Sequence, residues 1–492
     1  MSILTFIILL PILTAAAVLL GAPARKTSLV GSAITLLLSV IALLTYNQTA
    51  GGFQFQSSCD IVPAWDLKFF LGADGLNLVL ILLATLVTHA AVWVSPLNVK
   101  SENAFYACVL FIAAGAIGAF ASLDLFFFYA FHELALIPTF LLIGIWGSGD
   151  RFAAAWNITV YLALGSIVLL VGIIGLYQMM PVGERTFDIV KLQQLAASHK
   201  LDLTNASWVY LCLLFGFGIL ISLFPFHTWA PQAYASAPTP AAMLHSGVLK
   251  KFGLYGLLRI AVPILPEAAQ HWMNLLLIML AGNVLWVGLA TIAQRKLDFM
   301  LGYASVMHAG YIFLGIATLN IIGFNGAALL IFAHGIAVAA LFAISGKLRE
   351  QTGTLTLSEL GGIAKTAPFL GLAFGFAGFA AIGLPGFGNF SSEIMIFFGA
   401  FKSGTGAPLT NFQIVTVISL WGAVISAIFM LRAYRAVFMG EPNKRWSHVT
   451  DATPATRWPV FMLLAVLMLA GFYPQFFLNF IQPSVKSLLA LF

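Results

Sequence analysis

Seventeen of the 492 residues are acidic, and two of them, Glu133 and Glu393, fall deep inside long apolar stretches. A charge at mid-bilayer costs roughly 2.5–3.5 kcal/mol on insertion scales, so each carboxyl needs a partner, a polar pocket or a held proton. Such a carboxyl can load and release a proton near neutral pH. The bland alternative is a charge that only fastens helices together. Glu133 sits in Phe126-Phe127-Phe128-Tyr129-Ala130-Phe131-His132-Glu133-Leu134-Ala135-Leu136-Ile137-Pro138, where the aromatic run excludes water and Pro138 leaves the carbonyl of Leu134 without its helical donor. The stretch predicts a polar pocket in a dry wall. His132 lies about 100° round the helix and is either a titrating neighbour or a packing residue.

Lys250 and Lys251 stand in the middle of another apolar run, Leu244-His245-Ser246-Gly247-Val248-Leu249-Lys250-Lys251-Phe252-Gly253-Leu254-Tyr255. With roughly ten residues on either side, neither reaches a headgroup by snorkelling, so at least one faces the bundle interior. Adjacent positions diverge by about 100°, which keeps the two from sharing one seam equally. His227, His308 and His334 each lie in or beside an apolar run, and each alone reads equally as a hydrogen-bonding structural residue or a proton carrier. His308 and His334 occupy successive runs between Lys251 and Glu393, as a horizontal polar chain requires.

Other chemistry is not written here. The chain has no GxxxxGK[ST] loop and no strand-turn-helix nucleotide fingerprint, so energy must come from an ion gradient or a partner. Cys59, Cys108 and Cys212 are too scattered for a disulfide framework or a cluster. The histidines lack the spacing of a zinc site. No cofactor and no metal are expected in this chain.

The elements that hold these residues are membrane helices. The composition is 61% hydrophobic and 8% charged, against roughly a quarter charged in soluble domains. Runs long enough to cross roughly 30 Å of hydrocarbon recur at 3–22, 28–46, 71–94, 104–121, 124–146, 153–180, 207–224, 241–263, 271–293, 299–318, 322–345, 367–400, 411–438 and 458–482. This predicts an all-α polytopic protein of about fourteen crossings in a single membrane domain, 1–492. The longest polar stretches, 47–70, 181–207 and 440–456, leave no room for a soluble domain. Phe187, Val190, Leu192 and Leu195 in the second are consistent with either a short amphipathic surface helix or plain loop. The N-terminal run lacks a basic flank and a cleavage site and reads as a retained first helix. If the loop with Arg25 and Lys26 is cytoplasmic, 14 of the 23 basic residues share that side. Six (Lys68, Arg185, Lys191, Lys200, Lys402, Lys486) lie opposite, and Lys250, Lys251 and Arg259 stay within the membrane. Both termini are then non-cytoplasmic.

Two crossings are interrupted, at Leu223-Phe224-Pro225-Phe226-His227 and at Gly383-Leu384-Pro385-Gly386. Proline removes a donor and frees carbonyls that only protein or trapped water can satisfy in lipid. Gly and Pro can simply kink a membrane helix, but two breaks, each beside an ionisable residue, point to an ion site between repeated halves.

In order along the chain, these residues resemble the antiporter-like membrane subunits of proton-pumping NADH:quinone oxidoreductase, respiratory complex I, and within them the M type, the counterpart of mitochondrial subunit 4. The resemblance runs through Asp74-Gly75-Leu76, His132-Glu133-Leu134-Ala135-Leu136-Ile137-Pro138, Trp146-Gly147, Pro225-Phe226-His227-Thr228-Trp229-Ala230-Pro231 and Ala237-Pro238-Thr239. It continues through Lys251, Tyr255-Gly256, Arg259, Ala333-His334-Gly335, Gly383-Leu384-Pro385-Gly386-Phe387-Gly388-Asn389-Phe390, Glu393 and Gly471-Phe472-Tyr473-Pro474. It implies fourteen helices with two inverted five-helix repeats, 104–263 and 271–438, whose helices 7 and 12 are broken at Pro225 and Pro385. It implies proton transfer through Glu133, Lys251, His308, His334 and Glu393, with His132, Lys250 and His227 as auxiliary residues, coupled to quinone reduction in other subunits. The implied partners are the other membrane subunits, especially neighbouring antiporter-like ones, and the lipid bilayer, with no nucleic acid, in a bacterial inner membrane. The acid at 393 favours the M type, because sister subunits usually carry lysine there. One position departs: the family lysine on helix 7 falls on Leu220, and no basic residue lies between Trp208 and Phe226. Either His132 or Lys250 compensates, or coupling is altered. Subunits of multisubunit cation/proton antiporters and membrane-bound hydrogenases share the implied fold, and a scaffold paralogue that no longer pumps is the reading Leu220 motivates.

Overall fold

A chain surrounded by hydrocarbon must satisfy its own amides, and the apolar runs do so as helices. The computed structural model describes residues 2–198, 202–402 and 409–491; Lys200 lies outside them. Among the described residues, eleven helices are long and apolar enough to cross a membrane, and Ile3–Leu19 and Pro368–Ile382 are shorter apolar helices. The fourteen-run reading differs from this count where a run is not one long α-helix. Run 241–263 is a chain of α and π segments from Thr239 to Ile264, and run 367–400 is split into Pro368–Ile382 and Gly388–Lys402. Run 458–482 is divided at Tyr473-Pro474 into Pro454–Phe472 and Gln475–Leu489. The second piece buries Phe477, Phe480, Ile481 and Val485.

Polar residues at the membrane edges start these helices. Asp74 and Asn77 form a capping box at Gly75–Val94, with reciprocal bonds of 3.1 and 2.8 Å. The Asp124 carboxylate accepts from the amides of Phe126 and Phe127 at the head of Leu125–Trp146. The 32-residue helix Ile321–Thr352 is buried along its whole apolar window and forms the centre of the bundle, whereas Leu125–Trp146 and Arg151–Met179 bury only 39% of theirs.

Outside the bundle, the polar stretch 47–70 contains an antiparallel hairpin, Gln54–Val62 with Leu67–Ala73, which the helical reading did not anticipate. Here water and strand pairing share the work of satisfying amides. The stretch 181–207 carries the helix Ile189–Ser198 with Ile189 and Leu192 buried, so the amphipathic alternative is the one observed. Asp66 ties the two together: its carboxylate meets Lys68 at 2.8 Å, Lys191 at 3.3 Å and the Thr186 hydroxyl at 2.7 Å. Partial burial pushes the Asp66 carboxyl up, but these three bonds outweigh it and hold the group below the usual carboxylate range.

Arg259, assigned to the membrane interior by the charge count, is paired there. Its guanidinium donates to Asp74 at 2.6 Å with both side chains almost fully buried, and lies over the rings of Phe53 and Tyr255. This joins the helix bearing the lysines to the start of Gly75–Val94, directly after the hairpin.

Candidate functional site

Both helix breaks are stitched by side chains from neighbouring helices. At the first, Leu203–Ile221 ends and Trp229–Ser236 begins. The buried Asn283 amide spans this gap. Its oxygen accepts from Phe224 N–H at 2.6 Å, and its nitrogen donates to the carbonyls of Ser222 at 3.3 Å and Val306 at 2.9 Å. The Trp229 indole donates to the Ile219 carbonyl at 3.1 Å. At the second break Gly383 and Gly386 take φ of 81° and 97°, backbone that favours glycine. The freed carbonyl of Ala381 lies 2.7 Å from His308 Nε2.

His308 has acceptors on both sides, because its Nδ1 lies 2.7 Å from the Ala304 carbonyl. A neutral imidazole has one N–H and can donate to only one of these carbonyls at a time, and both are served together only when the ring carries a second proton. The ring stacks on His334, with centroids 5.2 Å apart and planes 18° apart. His334 Nε2 is 3.3 Å from the Ser305 hydroxyl. The carbonyl of that same serine accepts from Lys250 Nζ at 3.3 Å. Beyond His308, Tyr311 packs edge-on against its ring and lies within electrostatic range of Glu393. Glu393 is 5% exposed, its Oε1 has no hydrogen-bond partner, and it borders Gly383 at the break.

The sequence expected the lysines to diverge; both are 1% exposed. A π segment, His245–Leu249, immediately precedes them and carries the bond from Lys250 N–H to the His245 carbonyl, 3.0 Å. Residues 240–265 are buried on every side, so two consecutive lysines lie inside the bundle even though they diverge around the helix. His227 and His245 lie within electrostatic range of Lys250, and His308 and His334 within that of Lys251 and, less strongly, Lys250. The structure therefore brings Lys250, Lys251, His308 and His334 together, with Glu393 next along the line.

Glu133 stands apart. It is half-buried beside Tyr129 and Ser166, and its helix neighbours Leu134 and Ile137 are 36% and 69% exposed, so it lies near the rim of the bundle with its Oε1 buried and without a hydrogen-bond partner. The aromatic run that suggested a dry wall points partly outward, with Phe126 43% exposed. His132 turns the other way and stacks on Phe252 at 4.2 Å, with no hydrogen bond to either ring nitrogen. It packs beside the lysine helix and within electrostatic range of His245. His227 stacks on Phe224 just past the first break.

Asn283, Ser305 and His245 belong to this arrangement and were not singled out from sequence. Asn283 and Ser305 carry no charge; an amide in the middle of the run 271–293 was the available signal. His245 was visible as a histidine five residues before Lys250, and its ring reaches the Tyr234 hydroxyl at 3.4 Å.

A family profile described as NADH:quinone oxidoreductase/Mrp antiporter, transmembrane, matches residues 122–419. The chain is 33% identical to NAD(P)H-quinone oxidoreductase chain 4 of Gloeobacter violaceus, over 99% of this chain and 92% of that one. It is 31% identical to F(420)H(2) dehydrogenase subunit M of Methanosarcina mazei, over 94% and 92%. Among solved structures, a chain of respiratory complex I from Thermus thermophilus superposes with a TM-score of 0.90, 28% identity and 99% coverage of both chains. A chain of the Mrp complex from Dietzia sp. shares the fold, with a TM-score of 0.84 at 20% identity over 99% and 97%.

Proposed function

This chain belongs to the NADH:quinone oxidoreductase/Mrp antiporter transmembrane family, and from that premise we propose that it is a proton-translocating membrane subunit of a quinone-reducing respiratory complex. The observation that carries the reading is the buried line of titratable groups from Lys250 and Lys251 through His334 and His308 to Glu393, running past the break between Pro368–Ile382 and Gly388–Lys402. Each member can bind and release a proton, and hydrocarbon on either side keeps the proton on the line. Electron transfer belongs to other subunits, and charge moving along the line is the coupling between the two.

In this reading Lys251, His308, His334 and Glu393 carry the proton. Glu133 marks the rim of the axis, where a neighbouring antiporter-like subunit would cover the exposed side of its helix. The segments 104–263 and 271–438 are two repeats, each containing one of the breaks. The excess of basic residues on one face supports a bacterial plasma membrane orientation with both termini outside the cytoplasm.

The test is Glu393→Gln in the assembled complex reconstituted into proteoliposomes. The amide keeps the shape and cannot titrate, so protons taken up per electron should fall. An unchanged ratio with intact quinone reduction would sink the reading.

A further inference from the structure

We propose that the cleft between Arg295 and Arg432, on the membrane face that holds most of the basic residues, binds an anionic phospholipid. The phosphate sits between the two guanidiniums and an acyl chain follows the seam between Met273–Ala293 and Asn411–Phe438. The site lies apart from the titratable line and does not depend on the role given to it.

The two spans run side by side in the same direction. At one end Asn411 donates to the Asn274 side chain at 3.0 Å, and midway a Cβ on Gly288 would sit 3.1 Å from Ile425. At the other end the Arg432 guanidinium donates to the carbonyls of Ile292 and Gln294. There the seam opens into a cleft of about 430 Å³ lined by Gln294, Arg295, Leu357, Ser358, Arg432 and Ala436. One wall is pinned by the backbone, with Leu357 N–H bonded to the Arg295 carbonyl and Leu297 N–H to the Leu355 carbonyl, both at 2.9 Å.

Among the described residues, two guanidiniums and no carboxylate line this space. The Arg295 side chain is exposed and makes no hydrogen bond or ion pair there. Arg432 is held by the two carbonyls, which orient its guanidinium without neutralising it and leave further N–H donors. The neighbouring acids are engaged or outside: Asp298 pairs with Arg349 at 2.7 Å, Glu441 pairs with Lys365 at 3.2 Å, and Glu359 is exposed beyond the lining. Planar donors carrying unmatched charge suit a phosphate. The surroundings make it a lipid phosphate rather than a free anion. Arg432 stands about 9 Å by helical rise from the helix end at Phe438, a depth that places its charge at the headgroups. Deeper in, Leu289 lies one step round from Gly288, and Trp421, Val424 and Ile428 lie on the matching side of Ile425. All four are exposed, so between parallel helices they bound one apolar groove that continues from the cleft. An acyl chain fills such a groove, and a water-borne anion has no use for it.

The probe is phosphatidylglycerol with a photoactivatable acyl chain, added to the delipidated, assembled complex, with the labelled peptides identified by mass spectrometry. Label should fall at Leu289 and between Trp421 and Ile428. Unlabelled phosphatidylglycerol should compete, whereas phosphatidylcholine and inorganic phosphate at the same concentration should not. Arg295→Glu should cut the labelling by roughly fivefold or more, and Arg295→Lys should keep most of it. Arg432→Gln should also cut it; because that change strands two carbonyls, the Arg295 pair decides alone if the complex does not assemble. Equal competition by phosphatidylcholine would reduce the groove to ordinary lipid contact, and competition by phosphate would make the cleft a site for free anions. Absence of label from these segments would mean that a neighbouring subunit covers them. Each of these results overturns the proposal, as does wild-type labelling in Arg295→Glu.

Discussion

The two broken helices solve one problem with different chemistry. At Pro225 the freed backbone is satisfied by Asn283, an amide that donates and accepts at once and has the same bonds at every pH. At Pro385 the carbonyl of Ala381 is satisfied by His308, whose ability to serve it and the Ala304 carbonyl together depends on carrying a second proton. The first break is a fixed joint. The second is a joint whose bonding changes when a proton arrives or leaves, and it lies beside Glu393. A proton on His308 is therefore registered by the backbone that positions the next carboxyl.

The largest expected effect tests that difference directly. His308→Gln can still donate to the Ala381 carbonyl but cannot take up a proton, so the complex should assemble while proton transfer through this subunit drops by roughly a hundredfold or more. The readout is protons taken up per electron in proteoliposomes. A ratio equal to wild type would make the second break as inert as the first.

Asn283→Leu is the complementary change and comes next. It strands Phe224 N–H and Ser222 C=O in a buried gap, at about 1–3 kcal/mol for each unsatisfied group. Thermal inactivation of the purified complex should move to clearly lower temperature, with the proton-to-electron ratio of the surviving complex retained. A fall in that ratio like the one in His308→Gln would erase the contrast between the joints.

Much of this was legible from residue types. Membrane helices, both breaks, the buried lysines and the histidine line follow from charge and proline set in hydrocarbon, where such residues are expensive enough to stand out. Asn283 and Ser305 escaped because uncharged polar side chains are cheap in membrane helices and therefore common. The place of Glu133 near the rim escaped for a different reason. Its helix is apolar on every side, so the pattern of residues does not separate a lipid-facing side from a buried one. The partner of Arg259 lies 185 residues away at Asp74, a distance that no local pattern spans. The π segment before Lys250 likewise depends on packing, since His245-Ser246-Gly247-Val248-Leu249 carries no mark of a wider turn.

A third joint, outside the membrane, sharpens the comparison and has the smallest expected effect. Asp66 pins the hairpin to the loop at Thr186 and the helix at Lys191 through charges that water can replace. Such exposed pairs contribute about 0–1 kcal/mol, so Asp66→Asn should speed amide hydrogen exchange in Leu67–Ala73 only slightly and leave both helix breaks protected. Because the folded state holds the Asp66 carboxyl below its usual range, the contribution is fully present above the unfolded carboxylate value. It is lost only as pH falls through the lower, folded one. Exchange in this strand should therefore stay flat across neutral and mildly acidic pH after correction for intrinsic rates, and rise only in stronger acid. An onset near neutrality would mean that another group holds the hairpin. Water makes this joint replaceable, and its absence makes the joints at Asn283 and His308 decisive.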